Sequence, residues 1–149
     1  MWGCSTIRPP SGVQPVQRVL KVTGYCDCRE CCAWKRNWLL RPVVASGPSA
    51  GKPKAVGQSA SGAASRYGTI AADEALFPFG TIMYVQGYGY GRVEDRGRDI
   101  KGNHIDLHFG SHRLAMNWGT QEMKVTIWYP PGYVSSPPKK TGRPSTLAR

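Results

Sequence analysis

Three aspartates stand where their carboxyl groups could do acid chemistry. Asp73 and Asp95 each close a strand-like run, and Asp106 lies in the middle of another. Period-two alternation in that last run places His104 and His108 on the same face as Asp106. A carboxyl that burial and a neighbouring acid keep protonated near neutral pH is what a general acid requires. The pattern indicates general acid catalysis by Asp106.

Two other interpretations of the His104, Asp106 and His108 spacing remain open. This face could simply be the solvated side of an amphipathic strand, which needs no chemistry. Alternatively, the three side chains could converge on zinc or iron, as in a metal-dependent hydrolase, if a second element completed the site.

Four cysteines form a compact cluster with the spacing C-x-C-x-x-C-C, namely Cys26, Cys28, Cys31 and Cys32. Disulfides, a structural zinc site and a redox centre are all compatible with thiols this close. The usual zinc framework separates two cysteine pairs by a longer loop. Disulfides are therefore the favoured interpretation for an exported protein, with zinc as the alternative. No cofactor is expected.

The chain is strongly basic, but its charge is unevenly distributed. Its 149 residues carry 20 Lys and Arg against nine acids, a formal net charge of +11. Residues 1–16, a predicted leader or tether, contain no acid. Residues 130–149 contain none either, and their prolines and basic residues predict a disordered tail. Residues 17–129 form the predicted folded domain.

Composition excludes several classes of protein. A hydrophobic fraction of 40% is too high for a disordered chain, and no apolar run approaches the roughly 20 residues of a membrane-spanning helix. The positive charge suits nucleic acid or an anionic cell-wall surface. Since no recognition helix, RNA-binding signature or zinc-finger spacing is present, nucleic acid is not the expected partner.

Short strands must position these side chains. Alternating apolar residues and turn signals predict strands at 18–24, 67–72, 81–86, a run ending near residue 95, 103–109 and 122–128. Ser111 and Gly119 are suited to cap one short helix, and 41–65 is predicted as a long loop. The fold class is therefore mainly β, a small six-stranded closed barrel with one short helix; an open sandwich is the alternative.

Two runs of the sequence resemble the signature of the 3D (three-aspartate) domain. They are residues 68–81, which contain GTIAAD and FPFGT, and residues 93–109, VEDRGRDIKGNHIDLHF. The resemblance extends over about residues 18–128 and includes the link at 85–91. The family includes membrane-bound lytic murein transglycosylases and stationary-phase-survival muralytic proteins. The resemblance implies a double-psi β-barrel, in agreement with the barrel expected from the strands.

The resemblance also implies a chemistry. Asp73, Asp95 and Asp106 match the three family aspartates; Asp106 matches the catalytic acid/base, and Asp95 shapes its protonation. The implied reaction is cleavage of the β-1,4 bond between N-acetylmuramic acid and N-acetylglucosamine without water, leaving a 1,6-anhydromuramoyl end. Where the family commonly has Gly-Gly-Ala-Ile, this chain has GRDI, and we expect Arg98 and Asp99 to form a surface pair.

The expected partner is the glycan strand of peptidoglycan, bound by a monomer. Aromatic faces and polar groups suit sugars, and the predicted substrate-binding residues are Tyr88, Tyr90, Lys101, His104 and His108. The alternative function is a non-catalytic, expansin-like module that binds cell-wall glycan without cutting it.

The N-terminal sequence MWGCSTI looks like the end of a bacterial lipoprotein signal followed by its acylated cysteine. On this interpretation Cys4 carries a lipid anchor, and the protein resides in the cell envelope, in the periplasm, at the outer membrane or secreted. A chance N-terminal cysteine is the alternative.

Overall fold

The computed structural model describes residues 6–32, 34–46 and 48–134. Cys4 and most of the predicted basic tail therefore lie outside the described residues. The elements, in chain order, are β1 (Val16–Tyr25), α1 (Arg29–Cys32), β2 (Trp34–Arg36), β3 (Pro42–Val44), β4 (Thr69–Ala72), β5 (Ile82–Val85), β6 (Gly89–Asp95), β7 (His104–His108), α2 (His112–Trp118) and β8 (Gln121–Trp128). In the described part of the chain, none of the helices has the length and apolar character needed to span a bilayer.

Six strands close into a barrel in the order β1-β7-β4-β6-β5-β8. The β1–β7 and β4–β6 pairs are parallel, and the other four pairs are antiparallel. Parallel neighbours need crossover connections. If β1, β4 and β5 are exchanged for β6, β7 and β8, respectively, the same strands remain neighbours and keep their parallel or antiparallel directions. The strand pairing of the barrel therefore has an internal two-fold symmetry. The predicted mainly-β, six-stranded closed barrel is confirmed, and its crossovers agree with a double-psi arrangement.

The structure differs from the expected elements in one region. A second, four-residue helix, α1, lies within the cysteine cluster, and β3 occupies part of the predicted loop 41–65, where it pairs with β2 as a separate two-stranded sheet. Both strands have only three residues, and Val43 is their single buried residue. Such short and mostly exposed strands carry too little alternation to be predicted from sequence.

The barrel interior is filled by alternate residues of its strands. In β7 the inward residues Ile105 and Leu107 are fully buried, as period-two alternation predicts. Helix α2 covers one part of β1, with Ser111 accepting a hydrogen bond from Leu114 N and Gly119 ending the helix at a positive φ of 66°. The predicted caps of this helix are confirmed. The polar face of β7 therefore points away from the core, and the candidate site lies on that side of the strand.

Candidate functional site

Four neighbouring strands place one residue each in a row across the barrel wall. Thr23 of β1 pairs with Asp106 of β7, Asp106 with Ala71 of β4, and Ala71 with Asp95 of β6. Directly paired residues project from the same face of a sheet. With strands about 4.8 Å apart, the Cα atoms of Asp95 and Asp106 are about 10 Å apart. The small Ala71 side chain lies between them and leaves open space above the strand.

Three residues of this row, Asp106, Ala71 and Asp95, form the floor of an open cleft of about 750 Å³. One wall is the segment after β3, residues 48–60, and the facing wall is the loop after β6, residues 96–100; Tyr25 and Asp27 line the side near α1. Because the cleft is open, both carboxyls remain partly exposed to solvent. A cleft of this size accommodates a small number of sugar rings.

Asp106 has the environment of a general acid. Thr23 Oγ1 donates a hydrogen bond of 3.0 Å to Asp106 Oδ1, and His104 Nε2 lies 2.8 Å from the same hydroxyl. Burial raises the pKa of Asp106 to about 6; the Thr23 hydrogen bond opposes the rise, and the charge of Asp95 adds to it. The carboxyl therefore holds its proton in weakly acidic solution.

Asp95 is held in place by three donors. Its Oδ1 accepts from Ala60 N and Arg96 N, both at 2.9 Å, and its Oδ2 accepts from Tyr25 Oη at 3.0 Å. Burial, followed by the charge of Asp95, raises the pKa of Tyr25 far above its usual range. The tyrosine therefore remains a donor. Asp95 anchors the wall segment to the barrel, and both its oxygens are engaged.

His108 is buried behind the cleft. Its Nε2 lies 3.1 Å from Asp27 Oδ2, and its ring meets that of Tyr25 edge to face at 5.3 Å between centroids. Its Nδ1 has no hydrogen-bond partner in the part of the chain that is described. His108 therefore supports Tyr25 and Asp27 from below.

Asp73 lies apart from the other two family aspartates. Its Oδ2 accepts from Gly102 N at 3.0 Å, and its Oδ1 accepts from Ala75 N at 3.1 Å. The Gly102 hydrogen bond is the main cause that lowers its pKa. Asp73 is not among the cleft-lining residues. The structure makes it a link between the turn after β4 and the loop before β7, and its catalytic role stays a prediction.

The predicted substrate-binding residues do not line the cleft, although His104 and His108 lie directly behind it. Tyr88 is buried, donating from its hydroxyl to His108 O and accepting from Gly68 N. Tyr90 is 42% exposed on the barrel surface. The structure brings none of Tyr88, Tyr90, Lys101, His104 and His108 into the cleft lining.

The loop after β6 does line the cleft, including the part that departs from the family pattern. Arg98 Nε lies 3.8 Å from Asp99 Oδ1, and both side chains are highly exposed. The predicted surface pair is confirmed, at the rim of the cleft.

Thr23, Tyr25, Asp27 and Ala71 were not singled out by the sequence. Thr23 and Tyr25 alternate in a β-rich run, which is the one available signal. Their importance follows from the parallel pairing of β1 with β7, which brings together residues about 80 positions apart. Strand alternation shows which face a residue occupies but not which strand lies beside it.

The geometry does not support a metal site at His104, Asp106 and His108. Thr23 lies between His104 and Asp106, and His108 faces Asp27. Within the described ranges, the one convergent group of ligand side chains is formed instead by Cys26, Cys28, Cys31 and His112. The favoured disulfide interpretation is not met either, because all four cysteines of the cluster are free thiols.

The comparisons with known proteins agree with the sequence motifs. Residues 68–129 match the family profile of the 3D domain. The resemblance to the 3D domain is confirmed for this segment. The segment includes all three family aspartates, whereas Thr23, Tyr25 and the cysteine cluster lie outside it.

Over 58 residues, 39% of the chain, the sequence is 41% identical to two Bacillus subtilis proteins. They are the provisionally named cell wall shaping protein YabE and the cell wall-binding protein YocH. The chain spans 14% of the first and 20% of the second.

Among solved structures, the chain is similar to MltA from E. coli, at 22% identity and a TM-score of 0.40, over 52% of this chain and 29% of that one. MltA with bound chitohexaose matches at 21% identity and the same TM-score, over 58% and 30%.

Proposed function

We propose that the chain is a peptidoglycan lytic transglycosylase that uses Asp106 as its single acid/base. The observation that carries the proposal is Asp106 itself. This residue lies on the floor of an open cleft, within the segment that matches the 3D domain, and its pKa is raised to about 6. The cell-wall names of the two B. subtilis relatives support a glycan of the wall as the substrate.

The reaction starts with the Asp106 carboxyl protonated. Asp106 donates this proton to the glycosidic oxygen, and the bond from that oxygen to C1 of N-acetylmuramic acid breaks. The C6 hydroxyl oxygen of the same sugar bonds to C1, and its proton returns to Asp106. No water is consumed, and the carboxyl ends in its starting state. Thr23 holds the carboxyl in orientation through its hydrogen bond to Oδ1.

The arrangement around Asp95 favours one active carboxyl over two. Glycosidases that hydrolyse need a second carboxylate free to attack C1 or to activate water. Both oxygens of Asp95 are engaged by backbone N–H groups and by Tyr25. Asp95 therefore acts on Asp106 through its charge, and the substrate's own hydroxyl supplies the nucleophile.

Digestion of purified peptidoglycan tests this proposal directly. Wild type is expected to release 1,6-anhydromuropeptides, which mass spectrometry identifies because each is one water lighter than the hydrolysis product. Asp106→Asn is expected to lower the rate at least about 100-fold, the usual contribution of a general acid. Glu122→Gln, which changes an exposed carboxyl on β8, serves as the matched control. Undiminished anhydro-product release by Asp106→Asn would refute the assignment.

A second candidate is a module that binds cell-wall glycan without cleaving it. YocH is named a cell wall-binding protein, and the barrel exposes an aromatic group away from the cleft. Tyr84 and Tyr90 lie 5.1 Å apart between ring centroids, and Trp128 lies 5.9 Å from Tyr90. This candidate predicts that wild type binds insoluble peptidoglycan and releases no anhydro product, and that Tyr90→Ala weakens binding.

A location in the cell envelope follows from the proposed substrate, and we place the lipid anchor at Cys4. Incorporation of a clickable palmitate analogue in producing cells, compared between wild type and Cys4→Ser, tests the anchor. Equal labelling of the two chains would contradict it.

A further inference from the structure

Four ligand atoms converge beside the cleft. The Sγ atoms of Cys26, Cys28 and Cys31 and the Nδ1 atom of His112 all lie within 4.8 Å of one another. Nδ1 of His112 is 3.3 Å from the Cys28 sulfur and 3.5 Å from that of Cys31, and the Cys26 and Cys31 sulfurs are 3.7 Å apart. The cysteines belong to α1 and the turn before it, whereas His112 opens α2, so the group joins segments about 80 residues apart.

The spacings of 3.3, 3.5 and 3.7 Å match those of a tetrahedron around zinc. With Zn–S near 2.3 Å and Zn–N near 2.05 Å, ideal tetrahedral geometry places two sulfurs about 3.8 Å apart and a sulfur and a nitrogen about 3.6 Å apart. The observed distances of 3.7, 3.3 and 3.5 Å are close to these values. A disulfide would instead require sulfurs about 2.05 Å apart.

The surroundings of the group are those of ligands held for a metal. His112 Nε2 lies 3.1 Å from Glu30 Oε2, so the ring nitrogen that faces away from the cysteines meets a carboxylate. Metal-bound histidines characteristically donate their second N–H to such a group, which orients the ring. The backbone N–H of Cys31 also donates to Cys28 Sγ at 3.4 Å, as suits a thiolate.

We propose that Cys26, Cys28, Cys31 and His112 bind one Zn²⁺ in a closed structural site. Thiolates are soft ligands that select zinc, and imidazole also suits this ion. Four protein ligands leave no open position for water or substrate, so the ion holds structure and does not act on the glycan. The proposal of this site does not depend on the proposed lytic activity.

Cys32 is not a ligand, although it belongs to the same sequence cluster. Its Sγ donates a hydrogen bond to Cys26 O at 3.2 Å, and it is not among the convergent atoms. Cys32 is therefore a matched control, because it is next to the ligand Cys31 in the sequence but is not itself a ligand.

The proposed ion would hold one side of the cleft. Tyr25, which donates to Asp95, precedes the first ligand, and Asp27, which faces His108, lies between Cys26 and Cys28. Tying this segment to α2 fixes both side chains against the barrel, where β1 alone would leave them at a strand end.

Metal content of the full chain, purified without chelator, tests the site. We expect one zinc per chain by native mass spectrometry, retained in Cys32→Ser and lost in Cys28→Ser and His112→Ala. Glu30→Gln should keep the stoichiometry while weakening zinc about tenfold in competition with a chelator, because it removes the partner of Nε2. Wild type without bound zinc, or Cys32→Ser losing it with the ligand variants, would overturn the proposal.

Two measurements on wild type keep the test decisive if a variant fails to fold. Denatured with chelator and without reductant, the chain should react with thiol reagent at all four cysteines of the cluster, located by peptide mapping so that Cys4 does not enter the count; two unreactive cluster cysteines would reveal a disulfide and overturn the site. Cobalt exchanged for zinc should show thiolate-to-metal charge transfer and tetrahedral d–d absorption. Octahedral cobalt without charge transfer would also overturn it.

Discussion

The two carboxyls of the cleft differ in their hydrogen-bond donors. Asp95 receives three hydrogen bonds, from two backbone amides and a tyrosine, whereas Asp106 receives one from Thr23. Each donor stabilises the charged form of a carboxylate. Burial is the main cause that raises the pKa of Asp106, and Thr23 is its one donor among the described residues, which is why we propose Asp106 as the acid.

The pH dependence of cleavage should report the Asp106 proton. Because the protonated carboxyl starts the reaction, kcat/KM is expected to fall as pH rises through about 6. Asp95→Asn removes a charge that raises the pKa of Asp106, so it should move this falling limb to lower pH. Thr23→Val removes a hydrogen bond that lowers the same pKa and should move the limb to higher pH. Shifts of both variants in one direction would contradict the assignment.

Ionisation of Asp106 also lowers the stability of the fold. The native pKa of Asp106, about 6, exceeds its ordinary value of 3.8, so its ionisation destabilises the fold as pH rises from about 4 to 6, and the full cost remains above that range. Asp106→Asn should therefore raise the free energy of unfolding at pH 7 by up to about 3 kcal/mol. Denaturant titrations of both chains check this, and the gain should vanish below pH 4. A variant less stable than wild type at pH 7 would contradict it.

At the scale of elements, Asp73 joins two loops that frame the strands of the site. It accepts one backbone N–H from each side of the gap between the turn after β4 and the loop before β7. Both hydrogen bonds favour its charged form, and its pKa is lowered. This contribution to stability is present above its ordinary pKa of 3.8 and is lost as pH falls through the lower native value.

Replacing Asp73 separates a structural role from a catalytic one. Asp73→Ala is expected to lower the free energy of unfolding at pH 7 by about 1–2 kcal/mol, because two backbone donors lose their acceptor. Asp73→Asn should recover part of this loss, since its amide oxygen still accepts. The cleavage rate per folded molecule should stay near wild type in both. An Asn variant of native stability with no activity would instead make Asp73 a catalytic residue.

The alternation of apolar and polar residues predicted which side chains of one strand point inward, but not which strands lie next to each other. In β7 it placed Ile105 and Leu107 inside and Asp106 outside, as the structure shows. Tyr88 was predicted to bind sugar, yet it is buried with its hydroxyl bonded to Gly68 N and His108 O. Aromatic type alone does not distinguish a stacking surface from a core position. His112 could not be predicted as a partner of the cysteines, because it lies near them only when α2 is packed on β1.

At the scale of the whole molecule, the barrel is nearly symmetric and its site is not. The two-fold of the strand pairing passes between Ala71 and Asp106, and it relates Thr23 to Asp95. The symmetry therefore relates the acid Asp106 on β7 to Ala71 on β4, which has only a methyl group at the equivalent position. The symmetric pairing places Ala71 and Asp106 side by side at the centre of the row, and of these two positions one carries an acid.

The net charge of +11 should act on binding, not on bond cleavage. Replacing Lys139, Lys140, Arg143 and Arg149 by Gln removes four of the 20 basic residues and keeps the length of the chain. We expect about tenfold weaker binding to wall preparations that retain anionic polymers at low ionic strength, because ion pairs with such polymers contribute a few tenths of a kcal/mol each and are screened by salt. Sedimentation binding at two salt concentrations measures this. On walls stripped of anionic polymers the two chains should bind alike, and a difference that survives both stripping and salt would mean that these side chains contact the glycan itself.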